Sequence, residues 1–191
     1  MTAADDLTWP VRTRRLQLRP LTASDAPEIW SWYSRPEVTE YTPTRYADLA
    51  SFAARMEATA PSTLNVLHQE RIVAIAKLHV QDGWGQSEVA DATRAVEAEL
   101  GWIVDPGMHG QGIGTETAAA LRDLAFDRLG VRRIVAHCFS DNEPSWRIRA
   151  RIGMSQEALF REESLHRSGR WLDSMTWAML ATDLRPAAAL Q

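Results

Sequence analysis

"DPGMHGQGIGTETAAALRDLAF", residues 105–126, sets four glycines into eight positions and then runs on as an uninterrupted helix former. Glycine lets a backbone take positive φ or come close to a ligand, at an entropic cost. A helix start offers free N–H groups and the positive end of the helix dipole, so the stretch has the makings of an anion site. A ligand-free glycine turn would read the same way in isolation, and its surroundings must decide. Two familiar phosphate loops fail at once. A Walker loop needs Lys and Ser/Thr after its last glycine, whereas Gly112 is followed by Ile113 and Gly114. A dinucleotide fingerprint wants glycine where Thr117 stands, and its βαβ unit would open the chain, which it does not.

Outward from the turn, both flanks read as strands. "AVEAELGWIVD" before it puts Val96, Ala98, Leu100, Trp102 and Val104 on one face and Glu97, Glu99 and Gly101 on the other, a parity that a bulge would alter. "VRRIVAHCFS" after the helix is the next strand. The helix between them turns Thr117, Leu121, Leu124 and Ala125 inward. "DNEPSWRIRARIG" is a short helix, capped by Asp141 or Asn142, with Pro144 in its first turn and Gly153 beyond it. "MSQEALFREESLH" and "RWLDSMTWAML" close the chain as a hairpin.

Nearer the front, "RRLQLRPL" alternates, with Leu16 and Leu18 opposite Arg15, Gln17 and Arg19, as a first strand. A helix follows from about Ser24, since Pro27 fits only a first turn. "PEVTEY" is a short helical piece. Leu49, Phe52, Ala53 and Met56 share a face of a further helix that Pro61 ends. "TLNVLHQ" and "RIVAIAKLHVQ" are strands, and "DGWGQSEVADATR" is a long hairpin loop. The order β-α-α-β-β-β-α-β-α-β-β predicts an α+β fold with a mixed, mostly antiparallel sheet of about seven strands flanked by helices.

With 191 residues, the chain suits one well-buried domain, expected over residues 13–184, with residues 1–12 loose and 185–191 frayed. A net charge of −4, with both signs interspersed, argues against a nucleic-acid surface. No apolar run nears the ~18 residues of a membrane span, so no membrane partner is expected. "MTAADDLTWP" has no secretory signal pattern, and Cys138, the single cysteine, has no disulfide mate within the chain, which together point to a cytoplasmic protein, expected as a monomer or homodimer. His68, His79 and His166 are scattered without ligand spacing, His137 and Cys138 read as packing or lining residues, and no metal site is expected.

Taken in order, "TRRLQLRPLTASD", "AELGWIVDP", "HGQGIGTETA", "RRIVAHCFSDNEPSWRIRARIGM" and "GRWLDSMTWAML" resemble the GNAT acetyltransferases, nearest the branch that acetylates ribosomal-protein N-termini. The resemblance implies acetyl-CoA as donor, a primary amine as acceptor, direct transfer in a ternary complex, and a splay between the fourth and fifth strands that admits pantetheine. The acceptor implied is a protein N-terminal α-amine. A small-molecule amine such as an antibiotic or polyamine, and a non-catalytic acyl-CoA-binding module, are the alternatives. The resemblance also implies that Ile103, Val104, Asn142, Ser145 and the turn residues His109, Gly110, Gln111, Gly112, Ile113, Gly114 and Thr115 hold the donor. His109 departs from the Gln or Arg of the family pattern. Because backbone N–H groups do most of the diphosphate binding there, the departure costs little.

Transfer from a thioester needs a neutral amine, a polarised carbonyl and a stabilised leaving thiolate. Neutralising a lysine-like amine at pH 7 costs about 4.6 kcal/mol, and an α-amine about 1.4 kcal/mol. A weak base or a water chain therefore suffices for an α-amine. Glu99 aligns with the acidic position that several family members use as base, with Glu162 and Glu163 as second choices, because Ser164 stands where the ribosomal-protein branch can place a glutamate. The tyrosine that many members use as acid is replaced by Arg149. The Asn-x-x-Ser of the ribosomal-protein branch is matched by Asn142 and Ser145, which makes the Ser145 hydroxyl the candidate donor to sulfur. Arg147, Arg149 and Arg151 read as a solvated helix face from which one member could meet a CoA phosphate. Trp30, Tyr33 and Tyr41 are expected on the acceptor wall, with core burial the competing reading.

Overall fold

The computed structural model describes residues 7–184. The chain forms β1 (Val11–Arg12), β2 (Leu16–Pro20), α1 (Ala26–Tyr33), α2 (Pro36–Thr39), α3 (Leu49–Thr59), β3 (Thr63–His68), β4 (Arg71–Gln81), β5 (Glu97–Val104), α4 (Ile113–Asp123), β6 (Arg133–Phe139), α5 (Glu143–Arg151), β7 (Ser155–Leu165), β8 (Trp171–Leu180) and α6 (Ala181–Leu184). One open sheet runs β1-β2-β3-β4-β5-β6-β8-β7. Every neighbour pair is antiparallel except β5 with β6.

The sheet has eight strands where about seven are expected. The extra one is β1, in which Val11 and Arg12 pair with Leu18 and Gln17. Leu7, Trp9 and Val11 also pack on the core. Residues 7–12 are thus part of the domain and not a loose leader, because three apolar side chains there find a face to cover. Residues 1–6 and 185–191 of the expected loose ends lie outside the described residues.

The alternation in β2 is realised, with Leu16 and Leu18 fully buried. Two cores lie on opposite faces of the sheet. Ala98 and Leu100 of β5 join Ile134 and Ala136 of β6 and Thr117-side residues Ala118, Leu121 and Leu124 on one face. On the other, α1 and α3 supply Ile29, Trp32, Phe52 and Met56. Leu49, expected on that buried face, stays exposed in the first turn of α3. Truncating a fully buried Ile or Phe of this kind costs about 2–5 kcal/mol. No helix among the described residues is long and apolar enough to cross a membrane.

Candidate active site

Parallel pairing between β5 and β6 is brief. It joins Glu97 to Arg133, Ala98 to Ile134 and Glu99 to Val135, and then stops. Beyond that point β5 stays paired to β4 as far as Val104, and β6 to β8 as far as Phe139. The two strands diverge, and the expected splay falls between them. Their facing backbone groups are left for another partner, since buried N–H and C=O groups require one. The closed end is pinned by Arg133, which pairs with both Glu97 and Glu157.

At the open end of β5 the chain turns through the glycines into α4. The Asp105 carboxylate, buried itself, accepts from Gly107 N–H at 2.9 Å and shapes the first bend. Gly110 and Gly112 take φ of 73° and 78°, where side chains are strained. Gly114 is small for a different reason. A Cβ there would lie 2.8 Å from Ile148 Cδ1 of α5, so it permits the two helices to close on each other. Ile113 is buried, which leaves its amide as the part that can meet a ligand. Glu116 N–H is the first in α4 to find a partner, Gly112 O, and among the described residues no hydrogen bond takes the amides of Gly110 to Thr115.

Side chains of the turn are tied down around those amides. His109 Nε2 donates to Val104 O at 3.2 Å, and Gln111 Nε2 donates to Gly107 O at 3.1 Å. Arg15 crosses from the start of β2. Its Nε donates to Glu116 Oε2 at 2.7 Å and its Nη1 to Gln111 O at 2.9 Å. Burial works to raise the Glu116 carboxyl, but hydrogen bonds from Thr13 and Arg15 outweigh it and hold the group below its ordinary range. Arg15 thereby cancels a negative charge beside an anion-ready turn.

Opposite faces of the splay carry different chemistry. Strand parity and register put Glu99 in line with Val135, His137 and Phe139 of β6, and these with Thr176 and Ser174 of β8. Lys77 Nζ reaches Glu99 Oε2 at 2.5 Å. Tyr41 packs at a tilt against Phe139 and His166, each 5.8 Å away between ring centroids, so it stands beside the open end of β6. Tyr33 does not. It is 5% exposed and packs on Phe52 at 4.7 Å, inside the core, while Trp30 covers the same Phe52 from outside. Glu162 and Glu163 are exposed on β7, where Ser174 and Ser164 hydroxyls hold Glu163 below its ordinary range.

The other face carries α5. Asn142 takes the capping position, but its side chain makes no capping bond, and its carbonyl accepts from Ser145 and Trp146. Ser145 and Arg149, one turn apart, share the inward side. The sequence pattern suggested a solvated arginine face. Only Arg147 and Arg151 conform to it, because in a helix residues two apart point in nearly opposite directions. Arg149 is 3% exposed, its guanidinium lies 4.9 Å from the Trp102 ring centroid, and it donates to Ser145 Oγ at 2.6 Å and to His137 O at 2.7 Å.

A model of the GNAT acetyltransferase domain matches residues 15–155, most of the chain. The chain belongs to the GNAT acetyltransferase family. It is accordingly an acetyl-CoA-dependent acetyltransferase, and its strand splay and glycine turn are the family's fold realised in these residues. Among curated relatives, the uncharacterized N-acetyltransferase YnaD of Bacillus subtilis is 23% identical over 89% of this chain and 96% of its own. A GNAT-family acetyltransferase structure from Bacillus anthracis superposes with a TM-score of 0.77 at 22% identity, over 90% of this chain and 98% of that one. RimL, described as a ribosomal L7/L12 alpha-N-protein acetyltransferase in complex with coenzyme A, gives a TM-score of 0.74 at 16% identity, over 88% and 95%.

Three features of this GNAT site escape sequence reasoning: the placements of Lys77 and Arg15, and the burial of Arg149. The first two are cross-strand and cross-turn partners visible only once register is known. The third had a signal in the four-residue spacing from Ser145.

Proposed function

We propose that this acetyltransferase acetylates the α-amine of a peptide or protein N-terminus, with the donor lying along the turn and splay and the amine arriving from the face that carries Glu99, His137 and Tyr41. The observation that carries the reading is the early end of β5–β6 pairing at Glu99 and Val135, with free turn amides at one end of the gap. Acetyl-CoA, when bound, supplies a thioester carbonyl open to attack by a neutral amine. The residues present fit it. Amides from Gly110 to Thr115 face the diphosphate, His109 and Gln111 hold the turn in shape, and Ile103 and Val104 line the β5 arm of the splay.

Glu99 receives the amine proton, directly or through water, and Ser145 donates toward the departing sulfur. Because the Ser145 oxygen already accepts from Arg149, its own proton is free to point elsewhere. Tyr41 shapes the acceptor wall, with Trp30 further out, while Tyr33 packs on Phe52 in the core. The likeness to RimL supports the α-amine, as does the small energetic demand of neutralising such an amine with a modest base. A screen of free-N-terminus peptides against diamines and aminoglycosides, read as coenzyme A release, tests it. Turnover confined to small amines would refute the peptide reading.

A further inference from the structure

Arg149 stands where many relatives have an acid tyrosine, and its surroundings are unusual for an arginine. It is 97% buried, yet no carboxylate among the described residues pairs with it. Its two hydrogen bonds go to a neutral hydroxyl and a neutral carbonyl. Its Nε, fully buried, has no hydrogen-bond partner among the described residues. A guanidinium cannot shed its proton to escape this, and a buried charge without a counter-charge is costly. A residue whose only task was to tie α5 to the His137 carbonyl would need one neutral donor, which glutamine supplies.

The missing counter-charge can be placed. Arg149 rests on Trp102 of β5 and reaches His137 of β6, both beyond the last β5–β6 pair, so it lies in the gap between the strands. It is Ile148, its neighbour, that points at the glycine turn. The anion that Arg149 awaits is therefore one held within the splay and not the diphosphate at the turn. One sulfur already lies within reach of that charge. The Cys138 thiol of β6 feels the Arg149 charge, which opposes the upward push of burial on that thiol.

We propose that the Arg149 guanidinium is the counter-charge of the coenzyme A sulfur, stabilising the thiolate as it leaves, an inference that rests on acetyl-CoA being the donor. As the amine nitrogen bonds to the acetyl carbon, the carbon–sulfur bond breaks and its electron pair stays on sulfur. The amine proton passes to Glu99 or solvent, so amine and thioester yield amide, thiolate and one proton. Arg149 thus takes over by charge what the absent tyrosine would do by proton donation. Ser145 adds a hydrogen bond to the same atom.

The test is the titration of coenzyme A bound to the full chain, followed by thiolate ultraviolet absorbance, with the desulfo-coenzyme A complex as blank so that Cys138 cancels. A cation in direct contact lowers the pKa of a group that ionises to an anion by about one to three units. The bound thiol should therefore ionise at least about one unit below free coenzyme A in the same buffer. Arg149→Gln should return it to the free value or above, and Arg149→Lys should keep part of the shift. Affinity for desulfo-coenzyme A should change little in either variant. If Arg149→Gln does not fold, the wild-type titration decides alone: a bound thiol that ionises at or above the free value overturns the proposal. Failure of desulfo-coenzyme A to bind the wild type would instead overturn the donor reading on which it rests.

Discussion

Glu99 and Lys77 lock together across β4 and β5, ammonium to carboxylate at 2.5 Å, at the point where the sheet begins to open. Both side chains are part-exposed, so the pair itself adds little stability, about 0–1 kcal/mol. What it does is fix a carboxylate beside the gap, on the face proposed for the incoming amine.

A proton relay at Glu99 has a pH signature. Glu99→Gln should slow transfer most at pH 6–7 and progressively less toward and above about 8, where a peptide α-amine is already neutral. A defect that fades only near about 10 would signal a lysine-like acceptor. One of equal size across this range would leave Glu99 as a positioning partner of Lys77. The measurement is the pH–rate profile of the variant beside that of the wild type.

Two glycines of the turn should respond differently. Gly112→Val forces a branched residue into positive φ and screens the amides, so acetyl-CoA affinity should fall at least about tenfold while the fold survives. Gly114→Ala meets the terminal methyl of Ile148 instead, which must turn aside, and should lower the melting temperature slightly, by a cost at or below about 1 kcal/mol, with donor affinity kept. Calorimetric titration and thermal melts separate the two. An unchanged donor affinity in folded Gly112→Val would move the anion site elsewhere.

Ser145→Ala should reduce turnover about tenfold to a hundredfold with little change in donor affinity, because the hydroxyl matters as sulfur departs. The comparison requires single-turnover rates, so that chemistry and product release are distinguished. Wild-type single-turnover rates would remove Ser145 from the reaction.

Asp25 anchors the start of α1 to β2. Burial works to raise its carboxyl, but the Arg19 guanidinium and the Thr22 hydroxyl and amide outweigh it and hold the group at about 2. A depressed folded value means that its stabilisation is complete above the unfolded value near 4. It is lost as pH falls from there through about 2. The contribution is about 2 kcal/mol at neutral pH. Asp25→Asn should therefore melt earlier than wild type at pH 7, with the gap closing toward pH 2. A gap that persists in acid would assign the loss to packing instead.

Much of this is legible in the sequence. The alternation around Leu16, Leu18, Ala98 and Leu100, and the glycines before an Ala-rich helix, specify elements through short-range physics that a linear reading captures. Register is a different matter. That β5 leaves β6 after Glu99 while β6 stays paired to β8 is a matter of long-range pairing, and no local pattern encodes it. Tyr33 misled because an aromatic that lines a pocket and one that fills a core have the same composition, and only the position of Phe52 distinguishes them. Arg149 misled for the opposite reason. An arginine run suggests solvent, whereas helical geometry turns one of its three members inward onto Trp102. At Gly114 the sequence shows a glycine of the turn, and only the fold shows that its missing side chain also leaves room for Ile148 of the neighbouring helix.

The most direct test of the account is the site of acetylation on a peptide that carries both a free N-terminus and an internal lysine. Incubated with the chain and acetyl-CoA at neutral pH and read by fragment mass spectrometry, it should gain one acetyl group on the α-amine, with coenzyme A released in equal amount. Acetylation confined to the lysine, or none while small amines are consumed, would contradict it.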